Sequence, residues 1–256
     1  MASLSYDSQQ VLSNFAGRVK ITYPMLSDPD SSVIRAFGLL NETVPKGTPF
    51  FGVPWPASFI IAPGGTVKAR FFEKDYRQRY SAGTVLLSIA PHAKDGWNVA
   101  KTKHLTLRWR AADSSAWGGA RTELLLEVVL PKKMHVYAPG VGGSYIPIRL
   151  GIEANPALLT IHEPAFPKSR TLHLKAIKET VPVYEGTFLI KQDITFVQQK
   201  EIMAAAVDGK VAVTGEFRYQ ACDDKLCYPP ASVPLSWAFK VRAHDSTRVP
   251  AELRRK

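Results

Sequence analysis

The chain contains few residues that carry redox or metal chemistry. Its 256 residues include only two cysteines, Cys222 and Cys227, and no cysteine precedes them. A structural zinc site uses four ligands, usually cysteines and histidines in tight clusters. No two histidines stand at metal-ligand spacing, so we expect neither a metal site nor another cofactor; the histidines are His92, His104, His135, His162, His173 and His244.

Long apolar runs and nucleic-acid-binding motifs are also absent from the sequence. No stretch approaches the roughly 20 apolar residues that cross a bilayer, so we predict no membrane span. Residues Met1–Asp7 lack the basic and apolar regions of a signal peptide. The net charge of +11 is spread along the chain apart from Arg254–Lys256, and no helix-turn-helix or zinc-finger pattern accompanies it. We therefore expect no nucleic-acid partner.

Residues 1–90 show helix and strand signals in alternation, which is typical of an α/β domain. Asp7 precedes apolar residues at helical spacing, and the turn Ser27–Asp30 is suited to capping a second helix. The sequence predicts helices over Ser8–Ala16, Ser31–Phe37 and Tyr80–Ala90, a short strand over Ile21–Tyr23, and a hairpin of Ser58–Ala62 with Thr66–Phe72.

After residue 90 the pattern changes to strands alone. Residues 91–103 contain Pro91 and Gly96 and break the alternation, so we predict a linker there. Residues 104–243 hold many short strands between turn signals, which indicates an all-β sandwich, and residues 244–256 form a basic tail. The predicted strands are His104–Ala111, Thr122–Leu130, Met134–Tyr137, Ile146–Glu153, Leu158–Ile161, Thr171–Ala176, Gly186–Phe196, Lys210–Gln220 and Ser232–Val241.

Both cysteines lie in one short segment between two predicted strands. Four residues separate Cys222 from Cys227, and a hairpin loop of that length brings two Cα atoms within the roughly 4.4–6.8 Å that a disulfide spans. Such a pair acts either as a reversible dithiol or as a structural disulfide that staples the loop. The spacing alone leaves both interpretations open.

The charges around the two cysteines are unequal. Asp223 and Asp224 adjoin Cys222 and disfavour its thiolate, whereas Lys225 lies two positions before Cys227 and favours a thiolate there. If the pair exchanges disulfides, we therefore predict Cys227 as the attacking thiol and Cys222 as the resolving thiol.

The cysteine segment resembles the redox motif of the N-terminal domain of the thiol:disulfide interchange protein DsbD. That family has one more residue between its cysteines. The resemblance implies an immunoglobulin-like β-sandwich, a catalytic pair at Cys222 and Cys227, a thioredoxin-like or other thiol–disulfide partner protein, and a periplasmic or other extracytoplasmic location. The residues that carry it are Tyr219, Gln220, Cys222, Cys227, Tyr228, Pro229 and Pro230.

The same resemblance implies residues that cover the cysteines. The segment Leu130–Pro139 is also similar to this family. Tyr184 and Glu185 lie near the region where the family folds a cap loop over its cysteines, and Tyr219 and Tyr228 flank the pair itself. We take these four residues as candidates for a cap or shield. For the two flanking tyrosines, ordinary packing across a strand pair is the other interpretation.

Residues 3–90 resemble the redoxin family, that is, AhpC/TSA-type peroxiredoxins with a thioredoxin-like fold. Peroxiredoxins reduce peroxide with a cysteine that lies upstream of the first similar segment, and no cysteine precedes Cys222 here. Because a thiolate is the nucleophile for peroxide, we expect a partial domain over residues 1–90 without peroxidase activity. The similar segments are Ser5–Ser8, Ile21–Pro29, Val33–Gly38, Pro56–Ile61 and Gly65–Val67.

Together these patterns predict two domains, a partial thioredoxin-like α/β domain followed by an all-β immunoglobulin-like sandwich. We predict thiol–disulfide exchange, as part of an antioxidant relay, between the cysteine pair and a thioredoxin-like partner. The alternative is a non-catalytic protein-binding sandwich with a structural disulfide and a vestigial first domain. The missing signal peptide favours the cytoplasm if the N-terminus is genuine, against the location that the resemblance implies.

Overall fold

The computed structural model describes residues 1–75, 77–87, 89, 96–153, 155–174, 179–243, 247 and 250–253. These residues fall into two compact units, Met1–Arg79 with the C-terminal residues from position 245, and Tyr80–His244. Some predicted features lie outside the described residues. They are residues 91–95 of the linker, most of the basic tail, the last residues of the helix predicted to end at 90 and of the strand predicted to end at 176, and two of the histidines, His92 and His244.

The first unit combines short helices with two pairs of strands. Strands β1 and β2 are parallel, and β3 and β4 form the predicted antiparallel hairpin. A 3-10 turn near the C-terminus, Ala251–Leu253, also belongs to this unit. The elements are β1 (Ser3–Ser5), α1 (Gln9–Val19), β2 (Met25–Ser27), α2 (Ser32–Ala36), β3 (Ala57–Ile61) and β4 (Val67–Phe72).

Polar side chains cap both helices of the first unit. Ser8, and not the predicted Asp7, is the N-cap of α1, because its hydroxyl accepts a backbone N–H of the first turn at 3.4 Å. The buried carboxylate of Asp28 accepts the N–H groups of Val33 at 3.3 Å and Ile34 at 2.9 Å. The predicted capping of the second helix by this turn is therefore confirmed.

The strand predicted over residues 21–23 is wrong. Lys20 adopts a left-handed backbone at the end of α1. The N–H of Ile21 then donates to the carbonyl of Ala16 at 2.9 Å, so this segment completes the helix end. The strand forms further along the chain, as β2.

The elements that follow, up to Val241, are mostly strands, as predicted for the second half of the chain. They form sheets with the strand orders β12-β15-β9-β7-β6, β11-β16-β18-β8 and β13-β14-β10-β17. The elements are β5 (Arg79–Tyr80), α3 (Ala82–Leu87), β6 (Asn98–Lys101), β7 (Thr106–Ala111), β8 (Ser115–Ala116), β9 (Ala120–Val129), β10 (His135–Tyr137), β11 (Arg149–Ile152), β12 (Leu159–Ile161), β13 (Arg170–Leu174), β14 (Glu179–Glu185), β15 (Thr187–Phe196), α4 (Gln199–Ala204), β16 (Lys210–Tyr219), β17 (Ala221–Cys222) and β18 (Ala231–Val241).

The sandwich core forms between alternating apolar faces of these sheets. Strand β16 alternates exposed and buried residues along its whole length, so the predicted apolar face is confirmed. Strand β18 runs antiparallel beside it and shows the same alternation. The rings of Phe196 and Phe239 meet edge to face, 5.1 Å apart, inside this core. The buried face of β16 consists of Val211, Val213, Gly215, Phe217 and Tyr219.

The strands β5, β6, β8, β14 and β17 were not predicted from the sequence. Strand β6 lies inside the segment predicted as a linker and pairs antiparallel with β7. Its four residues alternate too little to indicate a strand. Strand β14 contains Pro182, which weakens the strand signal because proline lacks a backbone donor.

Candidate functional site

The two cysteines form a disulfide across a tight hairpin. Their Cα atoms lie 4.0 Å apart, and the residues form an antiparallel bridge. The N–H of Tyr228 donates to the carbonyl of Ala221 at 2.9 Å, which closes the hairpin behind the disulfide. The predicted approach of Cys222 and Cys227 through a short loop is therefore confirmed.

Asp223 folds the loop between the cysteines. One carboxylate oxygen accepts the N–H groups of Lys225 at 2.7 Å and Leu226 at 2.9 Å. The other accepts the hydroxyl of Tyr228 at 2.8 Å. These donors, led by the N–H of Leu226 and then that of Lys225, lower the pKa of the Asp223 carboxyl group. The carboxylate therefore organises the loop that presents the disulfide.

The two sulfur-bearing residues differ sharply in exposure. Cys222 is 1% exposed, whereas Cys227 is an exposed residue. In thiol–disulfide exchange the incoming thiolate must reach one sulfur along the S–S axis, and the other sulfur leaves. Cys227 is therefore the exposed residue of the pair, and Cys222 is the buried one.

Cys222 belongs to a row of residues that crosses the sheet β13-β14-β10-β17. It lies directly opposite His135 on β10, and His135 lies directly opposite Glu185 on β14. Directly opposite residues share one face of a sheet. Tyr137 and Val183 lie on this face too, one pair further along, and form a small buried cluster with Cys222.

Tyr137 provides a polar contact to the accessible sulfur. Its hydroxyl lies 3.4 Å from Sγ of Cys227, and because a disulfide sulfur carries no proton, the hydroxyl is the donor. The ring of Tyr145 packs on the ring of Tyr137, with centroids 4.6 Å apart, and its hydroxyl donates to Glu179. Burial, and then the charge of Glu179, raises the pKa of Tyr137, so the hydroxyl stays protonated and available as a donor.

His135 lies opposite Cys222 and has a ring nitrogen without a hydrogen-bond partner among the described residues. The residue is 4% exposed, and its Nε2 has no hydrogen-bond partner among the described residues. Its ring meets the ring of Tyr137 edge to face, with centroids 5.6 Å apart. Burial lowers the pKa of His135, against the opposing charges of Glu185, Asp224 and Asp223.

The structure brings two of the four predicted covering residues to this site. Tyr228 follows Cys227 directly, and its ring stacks on that of His104 with centroids 4.1 Å apart. Glu185 lies on the same face as Cys222, in the row through β10, and forms an ion pair with Arg170 at 3.8 Å. Their roles as cap or shield remain predictions.

The other two predicted covering residues, Tyr184 and Tyr219, lie away from the disulfide. Tyr184 neighbours Glu185 and so faces the opposite side of the sheet, where its ring stacks on Phe188 in the sandwich core. Tyr219 is a core residue of β16 whose hydroxyl donates to Thr102 at 2.9 Å. For Tyr219, the alternative interpretation of ordinary strand packing describes the structure better.

Sequence reasoning did not single out His135, Tyr137 and Tyr145 as part of the site. The first two were only part of a segment that resembles a family. They come next to the cysteine segment through pairing between β10 and β17, which are far apart in sequence. The usable signal was the alternation in Met134–Tyr137, where His135 and Tyr137 fall on one face.

Two further properties concern the described part of the chain. Within those ranges, no group of three or more His, Cys, Asp or Glu side chains is arranged to hold a metal ion. No helix there is both long and apolar enough to cross a membrane.

Comparison with known families identifies the family of the sandwich and of the first unit. Residues 102–234, just over half of the chain, match the family described as the N-terminal domain of the thiol:disulfide interchange protein DsbD. The chain therefore belongs to the DsbD N-terminal domain family, and the sandwich is its immunoglobulin-like domain. Residues 1–70 match the AhpC/TSA family, which makes the first unit a partial redoxin segment.

Solved structures similar to this chain include two bacterial domains. The N-terminal periplasmic domain of ScsB from Proteus mirabilis shares 16% identity over 57% of this chain and 50% of that chain, with a TM-score of 0.39. The DsbD N-terminal domain of Neisseria meningitidis in the reduced form shares 16% identity over 54% of this chain and 87% of that chain, with a TM-score of 0.32. This chain thus covers half the length of the ScsB structure. No curated protein matches it.

Proposed function

We propose that this protein carries out thiol–disulfide exchange through Cys222 and Cys227, with a thioredoxin-like protein as the electron donor. The observation that carries the proposal is the asymmetry of the disulfide, which has one exposed and one buried cysteine. A disulfide that only staples a loop does not need an accessible sulfur. The family relationship supports the same type of chemistry.

The exchange proceeds in two balanced steps. A thiolate of the donor attacks Sγ of Cys227, the S–S bond breaks, and its electron pair goes to Sγ of Cys222, which takes up a proton. The second donor thiolate then attacks the donor sulfur of the mixed disulfide and releases the Cys227 sulfur, which takes up the second proton. Two electrons and two protons pass from the donor dithiol to the pair, and the donor becomes a disulfide.

The surroundings of Cys227 support its role as the reactive thiol. The Tyr137 hydroxyl, 3.4 Å from its sulfur, is placed to stabilise a thiolate by hydrogen bonding. Lys225 adds a positive charge within the loop. The nearby carboxylate of Asp223 carries a negative charge that opposes this effect, and it accepts three hydrogen bonds within the loop.

We assign the exchange to the second unit alone. Residues 1–79 contain no cysteine, so the redoxin segment supplies no thiolate nucleophile. We propose that this segment has a binding or scaffolding role, without peroxidase activity of its own.

Trapping of a mixed disulfide tests the proposal. Cys222→Ser leaves the exposed Cys227 thiol, and Cys227→Ser leaves the buried Cys222 thiol as the matched control. Each reduced variant is mixed with a thioredoxin that lacks its resolving cysteine and whose remaining cysteine is activated as a mixed disulfide with thionitrobenzoate. We expect a covalent complex with Cys222→Ser that forms at least tenfold faster than with Cys227→Ser.

Equal rates for the two variants, or no complex with either, would contradict the assignment of roles. A disulfide that resists reduction would instead support the alternative, a protein-binding sandwich with a structural disulfide.

A further inference from the structure

His135 is a buried histidine of the sandwich with an unpaired ring nitrogen. Its side chain is 4% exposed and its Nε2 lacks a hydrogen-bond partner among the described residues. Leaving a buried polar atom unsatisfied costs roughly 1–3 kcal/mol, and such atoms are rare in folded proteins. The unpaired Nε2 of His135 is therefore a candidate for a functional role.

The position of His135 points to the buried cysteine. It is paired directly opposite Cys222, and the Cβ atoms of such a pair lie about 4.5–5.5 Å apart on the same face. The charged groups that act on its ring are Glu185 on the neighbouring strand and Asp223 and Asp224 in the cysteine loop. From its own strand, the ring of Tyr137 packs against it.

Thiol–disulfide exchange at the exposed Cys227 places negative charge on the sulfur of the buried Cys222. When a donor thiolate attacks Cys227, the electron pair of the broken bond goes to Cys222, which is 1% exposed. A buried, unpaired thiolate is strongly disfavoured, so the leaving sulfur needs a nearby proton donor. In the reverse direction the Cys222 thiol must lose its proton before it can attack the mixed disulfide.

We propose that His135 exchanges this proton with Cys222, as the acid when Cys222 leaves and as the base when Cys222 attacks. This inference rests on the proposed exchange function and adds a proton-transfer residue to it. During reduction of the pair, the imidazole takes up a proton from water as negative charge develops on the Cys222 sulfur, passes that proton to the sulfur and returns to its neutral form. During oxidation, the neutral imidazole takes the thiol proton, and the electron pair of Cys222 forms the bond to Sγ of Cys227.

The electrostatics of the site favour the neutral imidazole as the resting form. Burial lowers the pKa of His135 below its ordinary value of 6.5, so the ring is a free base at neutral pH. The nearby carboxylates oppose this effect and keep the imidazolium accessible when a thiolate forms beside it.

The reaction of the reduced protein with 5,5′-dithiobis(2-nitrobenzoate) separates the two cysteines in time. In the first phase, Cys227 attacks the reagent and releases one thionitrobenzoate anion. In the second phase, Cys222 attacks Cys227 and releases the other. Both phases are followed by absorbance at 412 nm across pH 5.5–9.5 in the wild type and in His135→Gln.

We expect the second phase of His135→Gln to be about tenfold slower than wild type at pH 7, with an unchanged first phase. As the pH is raised, the wild-type rate of the second phase should reach its plateau before pH 7. The variant rate should keep rising with pH through the ordinary thiol pKa of about 8.5 and meet the wild-type rate near pH 9. His173→Gln, which alters an exposed histidine of β13, is the matched control and should behave as wild type.

The outcomes of this experiment distinguish a failure of the proposed exchange function from a failure of the proposed role of His135. A reduced wild-type protein that releases no thionitrobenzoate contradicts the proposed exchange function. A normal first phase with the same pH profile for the second phase in wild type and His135→Gln overturns the role of His135 alone. Equal slowing of both phases at every pH also overturns it, because that result indicates a structural effect.

A measurement on the wild type covers the case in which His135→Gln does not fold. The C–H resonances of the His135 ring are titrated by NMR in the oxidised and the reduced protein. Coupling to Cys222 predicts a second titration step in the reduced protein that is absent in the oxidised protein. Identical curves in the two states would overturn the proposal.

Discussion

The two units of this chain are stabilised in different ways. Among the described residues, the largest fully buried side chains belong to the sandwich, with Ile34 the single exception from the first unit. Both units leave some large apolar side chains exposed, among them Phe50 and Leu26 in the first unit and Met203 and Val207 in the second. An apolar core therefore dominates the stability of the sandwich and contributes less to the first unit.

Polar contacts take a larger share in the first unit. The buried carboxylate of Asp28 caps α2, and the buried hydroxyl of Ser31 donates to the carbonyl of Gly52 at 2.9 Å. The cysteine pair therefore lies in the unit with the larger apolar core. A site that must hold a buried cysteine beside a histidine needs rigid strands around it.

The largest expected effect tests the core of the sandwich. Phe239 is fully buried against Phe196, so Phe239→Ala should lower the free energy of unfolding of the sandwich by about 3–5 kcal/mol. Phe50→Ala, at an exposed site of the first unit, should change stability by less than about 0.5 kcal/mol. Hydrogen exchange with mass spectrometry reports the two units separately. Similar losses from both variants would remove the distinction between the units.

Removal of the disulfide should have the next largest effect. Because the closed loop is short, the double variant Cys222→Ser with Cys227→Ser should lose ~2 kcal/mol of sandwich stability in urea unfolding. Hydrogen exchange in the first unit should not change. Reduction of the wild type should give the same loss, and a much larger loss would mean that the disulfide is essential to the fold.

Loss of the buried cap should affect only the first unit. Asp28→Ala removes the acceptor for the N–H groups at the start of α2, which should destabilise that unit by about 1–2 kcal/mol. Glu42→Ala, which alters an exposed carboxylate, serves as the control. Faster hydrogen exchange in the sandwich peptides of Asp28→Ala would contradict the separation of the two units.

The smallest expected effect concerns the thiolate itself. Tyr137→Phe removes the hydroxyl that contacts Cys227 and keeps the ring that fills the cluster, so stability should change little. Because the thiolate loses a hydrogen-bond donor, the variant should slow the reaction of Cys227 with 5,5′-dithiobis(2-nitrobenzoate) at pH 7 by about fivefold. Tyr145→Phe, whose hydroxyl bonds Glu179 instead, is the matched control. An unchanged rate for Tyr137→Phe would show that this contact does not assist the thiolate.

The fold was predictable from the sequence where the pattern is local. The alternation along β16 and the hairpin of β3 and β4 need only neighbouring residues to be recognised, and both are confirmed. The helix end at Lys20 and the strand β14 with its Pro182 were missed, because capping and pairing override the local signal there.

The site was predictable only in part. Cys222 and Cys227 are separated by one short loop, so their approach follows from spacing. His135 and Tyr137 come to them from a strand almost 90 residues earlier, and no periodicity specifies which strands become neighbours. Tyr184 was selected from the right segment but falls on the opposite face, because adjacent residues of a strand alternate sides.

A redox titration of the Cys222–Cys227 pair tests the central claim most directly. The protein is equilibrated in thiol–disulfide buffers of defined potential, and the reduced fraction is counted by alkylation and mass. Exchange with a thioredoxin-like partner predicts a midpoint between about −150 and −270 mV. A midpoint well below about −300 mV would contradict it and assign the disulfide to a structural role in a protein-binding sandwich.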